Sequence, residues 1–117
     1  MKVSLLHEHI MQKNNVSEER PFGADFLVFK IGGKIFAILA VEASPLRLNL
    51  KCEPDQALFL RDVYPAVKPG YHMNKRHWNT VILDESLSDD VIFEMIDESY
   101  NLVVKKLPRL IRKEIEM

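Results

Sequence analysis

Two runs of strand-forming residues, Asp25–Ile31 and Lys34–Val41, are separated only by Gly32-Gly33. Both runs are rich in Phe, Val, Ile and Leu, which favour extended backbone. Two central glycines can both take a positive φ, as the tightest hairpin turn requires. The sequence therefore predicts an antiparallel hairpin, and a regular two-residue turn would place Phe29 opposite Phe36.

A third segment, Leu46–Cys52, alternates between apolar and polar side chains. Successive side chains of a strand point to opposite faces of the sheet. The apolar positions are therefore assigned to the core; they are Leu46, Leu48, Leu50 and Cys52. The polar positions form a cationic stripe on the other face; they are Arg47, Asn49 and Lys51. A solvated sheet face gives the same pattern as a ligand-binding one, and the stripe taken alone favours the solvated face.

The remaining segments are predicted as helices and short strands. Apolar residues at helical spacing predict helices over Met1–Gln12, from Glu53-Pro54-Asp55 to about Val63, and over Val91–Leu107. Trp78–Asp84 is predicted as a strand, and Val67–His72 as a brief additional one. A break is predicted over Lys13–Ser17, and residues 108–117 are predicted as a basic tail with a short frayed helix.

These elements give the order α-β-β-β-α-(β)-β-α. That order predicts an α+β fold with a mainly antiparallel β-sheet packed against helices. The longest helix should lie across the sheet, since its apolar residues fall on one face. A chain of 117 residues is expected to form one domain spanning residues 1–117.

The stretch Val67–Thr80 is dense in polar and aromatic side chains. It contains three cations, two histidines, a tyrosine and a tryptophan, and it contains no acid. Acids are absent from Val63 through Leu83, although the net charge of the chain is −1. Cations that donate charged hydrogen bonds and flat rings that stack are typical of surfaces for phosphates, bases or a polar partner. Trp78 is expected to be substantially buried at the start of its strand, with its indole N–H paired.

Composition argues against several classes of protein. Cys52 is the only cysteine, so an internal disulfide is excluded and a reducing compartment is expected. No apolar run approaches the ~18 residues of a membrane span, and the N-terminus lacks a signal-peptide core. A cytoplasmic location without a membrane partner is therefore predicted. His72 and His77 are five residues apart with no Cys or acid nearby, so neither a metal site nor a cofactor is predicted.

Four motifs stand in a fixed order along the chain. They are Pro21-Phe22-Gly23 before Phe26–Lys30, the strand Leu46–Lys51, the stretch Pro69–Thr80, and Ser99-Tyr100 with Leu102-Val103 near Leu107-Pro108. Residues 21–110 thereby resemble the MmcQ/YjbR-like family of small bacterial proteins, and Gly70–Thr80 is the most specific part of the match. The resemblance implies an α+β sandwich similar to that of the frataxin/CyaY group. It also implies DNA binding, through the two-winged surface proposed for that family.

The resemblance carries a set of marker residues over to this chain. By position they are Lys30, Arg47, Asn49, Lys51, Tyr71, His72, Asn74, Lys75, Arg76, Trp78 and Asn79. Lys34 joins the set as a further cation of the predicted hairpin. The polar members of this set are the candidate nucleic-acid contacts.

The leading hypothesis is a non-enzymatic module that binds DNA weakly and in a salt-dependent manner. Its centre would be a single cationic surface made of Arg47, Lys51, Lys75 and Arg76. A protein- or small-anion-binding module that uses the same face is the alternative, and an enzyme with His72 or His77 as the acid–base group is a third. The sequence supplies no nucleophile or acidic partner beside these histidines, which disfavours the enzyme. A monomer is favoured over an oligomer, and the choice between DNA and RNA stays open.

Overall fold

The computed structural model describes residues 1–70 and 73–116; Tyr71, His72 and Met117 lie outside this part of the chain. Within it the chain forms four helices and six strands. The helices are α1 (Val3–Met11), α2 (Pro54–Val63), α3 (Asp89–Lys105) and α4 (Arg109–Glu116). The strands are β1 (Val16–Glu19), β2 (Phe26–Ile31), β3 (Lys34–Ala40), β4 (Leu46–Lys51), β5 (Val67–Pro69) and β6 (Trp78–Leu83).

The six described strands form one antiparallel sheet with the spatial order β1-β2-β3-β4-β6-β5. Strands β1 to β4 follow the chain as a meander. Strand β5 is the brief strand predicted before Trp78, and it lies outside β6 at the far edge of the sheet. The predicted α+β fold is confirmed, and the predicted elements follow one another in the predicted order.

Strand β1 is the element that the sequence pattern does not reveal. The break predicted over Lys13–Ser17 is wrong from Val16 onward, because Val16–Glu19 pairs with β2. In this strand Val16 is half-buried and the three residues after it are exposed. Main-chain pairing to β2 therefore defines the strand, and no alternation of buried side chains marks it in the sequence.

The Gly32-Gly33 turn joins β2 to β3 as predicted, with φ angles of 58° and 79°. Positive φ at both positions costs little only for glycine. Gly32 is also close to a neighbour, since a Cβ built there would lie 2.7 Å from Cδ1 of Leu107. The turn thus needs glycine for its backbone and, at Gly32, for its packing.

The register of the hairpin differs from the expected one by a β-bulge. Phe29 pairs with Ala37 and not with Phe36, because β3 contains one extra residue at this point. The extra residue is Phe36, which is fully buried. Its ring meets the ring of Tyr100 edge-on, with centroids 5.4 Å apart. The bulge therefore places the ring of Phe36 under α3. Regular pairing would have put Phe36 opposite Phe29.

All four helices pack on one side of the sheet. Alternate strand residues on that side form the core with apolar residues of α1, α3 and α4; the strand residues include Leu27, Phe29, Ile31, Leu39, Leu48, Leu50, Val81 and Leu83. Helix α3 crosses β3 and β4 as predicted, and α2 lies over β5 and β6. The opposite face of the sheet is covered by no helix of the described chain, and it is called the bare face below.

A buried hydroxyl group ties α3 to the middle of the sheet. Ser99 Oγ donates to the carbonyl of Phe36 at 2.6 Å and accepts the main-chain N–H of Lys51 at 2.8 Å. A buried polar group with both its roles satisfied fixes the elements that it joins. The hydrogen bond from Lys51 to Ser99 therefore fixes the end of β4 to α3 on the helix side of the sheet.

Candidate nucleic-acid interface

The cationic stripe of β4 lies on the bare face, as its alternation predicts. Leu48 and Leu50 point into the core, while Arg47 is exposed and Lys51 is half-exposed. Directly paired residues of adjacent antiparallel strands share a face. The pairing of β4, β6 and β5 therefore adds Lys68, Trp78, Thr80 and Ile82 to the same side.

These side chains are called the cationic half-sheet below; its members are Arg47, Asn49, Lys51, Lys68, Trp78, Thr80 and Ile82. The set holds three cations, one large aromatic ring and no acid. Lys68 is exposed at the edge strand, and Trp78 is half-buried beside Lys51. Most of the surface of Trp78 is buried, as expected, although its ring belongs to the face that no described helix covers.

A polar pair occupies the centre of the cationic half-sheet. The hydroxyl of Thr80 donates to Oδ1 of Asn49, its partner on the neighbouring strand. The bond orients the Asn49 carboxamide, so that its NH₂ group points away from Thr80. An oriented donor between cations suits a sugar or base edge.

Two acids lie at the margin of the cationic half-sheet. Asp25 and Glu42 line a hollow of about 270 Å³ together with Phe26, Arg47 and Asn49. The hollow therefore offers charges of both signs near Arg47. Lys51 and Lys68 are not among the residues that line this hollow.

The two hairpin cations lie apart from the cationic half-sheet. Lys30 forms a salt bridge with Glu19 of β1, with 2.8 Å between Nζ and Oε2. Lys34 pairs with Ile31, whose side chain is in the core, so Lys34 belongs to the helix side of the sheet. The structure thus does not bring Lys30 and Lys34 together with Arg47 and Lys51.

An arginine that the sequence analysis did not single out holds the loop before β6. Nε of Arg61, on α2, donates to Oδ1 of Asn79 at 2.7 Å, and its Nη2 donates to the carbonyl of Trp78 at 3.3 Å. Nη2 also donates to the carbonyl of Lys75. No sequence signal identifies this role, because α2 and the loop meet only in the folded chain.

Two asparagines of the predicted site stabilise the fold. Oδ1 of Asn74 accepts the N–H of Arg76 at 3.0 Å, and its carbonyl accepts the N–H of Trp78 at 3.0 Å. Asn79 is 2 % exposed and its Nδ2 donates to the carbonyl of Ala57 at 3.3 Å. Asn79 pairs with a core residue of β4 and faces α2, so the expectation that it reaches a nucleic acid conflicts with its burial.

Lys75 and Arg76 border a different hollow from Arg47. They line about 310 Å³ with Arg61, Leu58 and the first turn of α2, which contributes Pro54 and Asp55. The four cations predicted to form one surface are therefore divided between the bare face and the end of α2. Tyr71 and His72 precede this loop and lie outside the described residues. Gly70 is pressed against Trp78, since a Cβ on it would lie 2.7 Å from Trp78 Cβ.

Of the groups considered for chemistry, Cys52 and His77 lie in the described part of the chain, and His72 lies outside it. Burial, followed by the charge of Glu98, raises the pKa of the Cys52 thiol to about 11, which keeps the thiol protonated near neutral pH. Nδ1 of His77 is buried and has no hydrogen-bond partner among residues 1–70 and 73–116. In the same residues, no group of three or more His, Cys, Asp or Glu side chains is placed to hold a metal ion. No helix there has the length and apolar content that crossing a membrane requires.

Comparison with known proteins gives a consistent assignment. The family model described as YjbR matches residues 11–102. Escherichia coli O157:H7 YbdF is 43 % identical over 95 residues, which are 81 % of this chain and 78 % of that protein. YjbR of Escherichia coli K12 is 33 % identical over 113 residues, which are 97 % of this chain and 96 % of that protein.

Two solved structures share the fold. The crystal structure of Deinococcus radiodurans protein DR2400 has a TM-score of 0.93 and 35 % identity, covering 99 % of this chain and 88 % of that one. A Pseudomonas syringae protein has a TM-score of 0.75 and 27 % identity, covering 87 % of this chain and 98 % of that one. The matched residues extend over most of the sheet and its helices, and on these grounds the chain belongs to the YjbR family.

Proposed function

We propose that this protein binds single-stranded nucleic acid weakly on its cationic half-sheet and performs no chemical step on it. The observation that carries the proposal is the placement of Arg47, Lys51 and Lys68, without an acid among them, on the face that the described helices leave bare. Cations spaced along a groove or face neutralise phosphates, and an aromatic ring between them stacks on bases without regard to sequence.

The shape of the surface favours a single strand over a duplex. An open antiparallel sheet with an aromatic side chain on it accepts bases that are unstacked and splayed out. Trp78, half-buried beside Lys51, is placed to contact such a base. A duplex would instead need a helix or a two-stranded ribbon that enters a groove, and the half-sheet presents neither.

The test is the salt dependence of binding to a labelled oligonucleotide, measured by fluorescence anisotropy with single-stranded and duplex forms at several salt concentrations. Three neutralised phosphates on a single strand predict a slope of log K against log salt of about −2. The double variant Arg47→Gln/Lys51→Gln should flatten that slope by about 1.4. Absence of salt-dependent binding by the unaltered protein would overturn the proposal.

A matched control separates the surface from the net charge. Lys34→Gln/Lys105→Gln removes two exposed cations as well, but on the helix side and at the end of α3. This control should bind as the unaltered protein does. Equal weakening by both double variants would assign the binding to overall charge and would contradict a role of the half-sheet.

Small-anion binding is the second candidate, and the hollow at the end of α2 favours it. Lys75 and Arg76 lie there beside Arg61, with Asp55 as the acid that opposes them. If this hollow binds anions, inorganic phosphate should raise the thermal unfolding temperature, and Lys75→Gln/Arg76→Gln should remove that effect. The same variant should leave the oligonucleotide slope unchanged, so the two candidates are distinguishable.

A further inference from the structure

The seam between α2 and α3 leaves a groove open on the helix side of the molecule. Its volume is about 200 Å³, and each helix supplies one wall. The first wall is Gln56, Phe59, Leu60 and Tyr64, and the second is Val91, Glu94, Met95 and Glu98. Apart from the adjacent pairs Phe59-Leu60 and Glu94-Met95, the residues of each wall are three or four positions apart. Residues at this spacing share one face of a helix, so each wall runs along its helix.

The groove exposes apolar surface that the fold itself does not use. Phe59 is 57 % exposed, and Val63, one turn further along α2, is 46 % exposed. A cavity of about 20 Å³ adjoins the groove and shares Leu60, Met95 and Glu98 with it. The seam is therefore incompletely packed, and an apolar side chain entering from outside would gain contacts that the chain alone leaves unmade.

The groove is also acidic. Glu94 and Glu98 both line it, and none of its other lining residues in the described chain is charged. Burial, followed by repulsion from Glu94 and Asp97, raises the pKa of Glu98. Asp97 has its own partner in Lys13, with 2.5 Å between Nζ and Oδ1. Glu94 and Glu98 thus stand close to each other at the rim, where an incoming cation would be favoured.

We propose that this seam docks a cationic amphipathic helix of a partner protein. A groove with one helix on each side and apolar side chains between them suits a third helix, whose apolar side chains at positions i, i+4 and i+7 would meet Phe59, Leu60 and Met95. Lys or Arg side chains flanking that stripe would reach Glu94 and Glu98. The site lies on the opposite side of the sheet from the cationic half-sheet, so it does not depend on the proposed nucleic-acid binding.

A designed peptide tests the proposal directly. The probe is a labelled peptide of about 15 residues, long enough to form a helix on binding, built from Leu, Ala, Lys and Arg with all the Leu on one face. Its binding to the full chain is followed by fluorescence anisotropy. Phe59→Ser should weaken binding about tenfold or more, since it removes the largest exposed apolar contact. Glu94→Gln/Glu98→Gln should weaken binding and reduce its salt dependence.

The control variant is Leu110→Ser, which removes another exposed apolar side chain, 77 % exposed on α4. It should bind the peptide as the unaltered protein does, and all variants should keep their thermal unfolding temperature within a few degrees. Equal binding of a peptide with the same composition but no apolar face would overturn the proposal, because the contact would then be charge alone. So would self-association of the protein that Phe59→Ser abolishes, because the occupant of the groove would then be a second copy of the chain.

Discussion

The cationic half-sheet and the α2–α3 seam carry opposite charge on opposite sides of one sheet. On the half-sheet the cations come mainly from a single strand, where alternation places Arg47 and Lys51 on one face. In the seam the acids come from α3, while the exposed apolar ring of Phe59 comes from α2, 35 residues before Glu94. Two of the three cations of the half-sheet thus follow from the alternation of one strand, whereas the seam combines side chains of two helices that are distant in the sequence.

The separation of these surfaces explains how a chain with a net charge of −1 has a half-sheet with three cations and no acid. Charge is sorted by position and not by composition, so the overall balance says little about what each surface binds. It also means that the two surfaces should respond differently to mutation. The four predictions below test that contrast, from the largest expected effect to the smallest.

The largest effect should separate the two faces of β4. Leu48→Ala removes a fully buried side chain from the core and should lower the free energy of unfolding by about 3 kcal/mol. Arg47→Ala, one residue away but on the bare face, should change it by no more than about 0.5 kcal/mol. Urea denaturation of both variants measures the contrast. A comparable loss of stability in the two variants would show that Arg47 is packed like a core residue, which contradicts its exposed position on the bare face.

The next effect concerns Arg61, which connects α2, one wall of the seam, to β6, a strand of the cationic half-sheet. Arg61→Ala removes the donor to Asn79, whose buried carboxamide oxygen would lose its partner, and should cost about 1–3 kcal/mol. Arg76→Ala, an exposed cation of the same loop, serves as the control and should be close to neutral. If thermal unfolding shows equal changes, Arg61 does not hold the loop.

Asp97 gives a smaller effect that depends on pH. Burial alone would raise the pKa of Asp97, but hydrogen bonds from Lys13 and His9 outweigh it and hold the pKa below its usual value. The ionised carboxylate therefore stabilises the fold at neutral pH, and this contribution is lost as pH falls through the lowered pKa. Asp97→Asn should cost about 0.5–1 kcal/mol at neutral pH, because the group is partly exposed. Denaturation curves at acidic pH should show that difference shrinking.

Glu98 is adjacent to Asp97 and should behave in the opposite way. Because its pKa is raised on folding, the protonated form favours the folded state, and stability is lost as pH rises through that pKa. Glu98→Gln should therefore stabilise the protein slightly at neutral pH, by a few tenths of a kcal/mol at this exposed position. The gain should vanish at low pH. A destabilised variant at neutral pH would mean that Glu98 has a partner.

The parts of the fold that follow local rules could be predicted from the sequence. The Gly32-Gly33 turn and the alternation of β4 are examples, since each depends on residues close together in the chain. The bulge at Phe36 could not be predicted, because it is set by packing against Tyr100 on a distant helix. For the same reason no local pattern marks Arg61, and the prediction that Asn79 lies on a surface is wrong, because Asn79 is buried under α2.

The two edges of the sheet have a consequence for how the protein behaves at high concentration. One edge is β1, a four-residue strand that carries Glu18 and Glu19, and the other is β5, a three-residue strand that ends in Pro69. Short edges with acids or proline offer few free main-chain groups to the strand of another molecule. The edges therefore disfavour strand pairing between molecules. This allows one face of the sheet to remain without a helix while edge-to-edge aggregation is avoided.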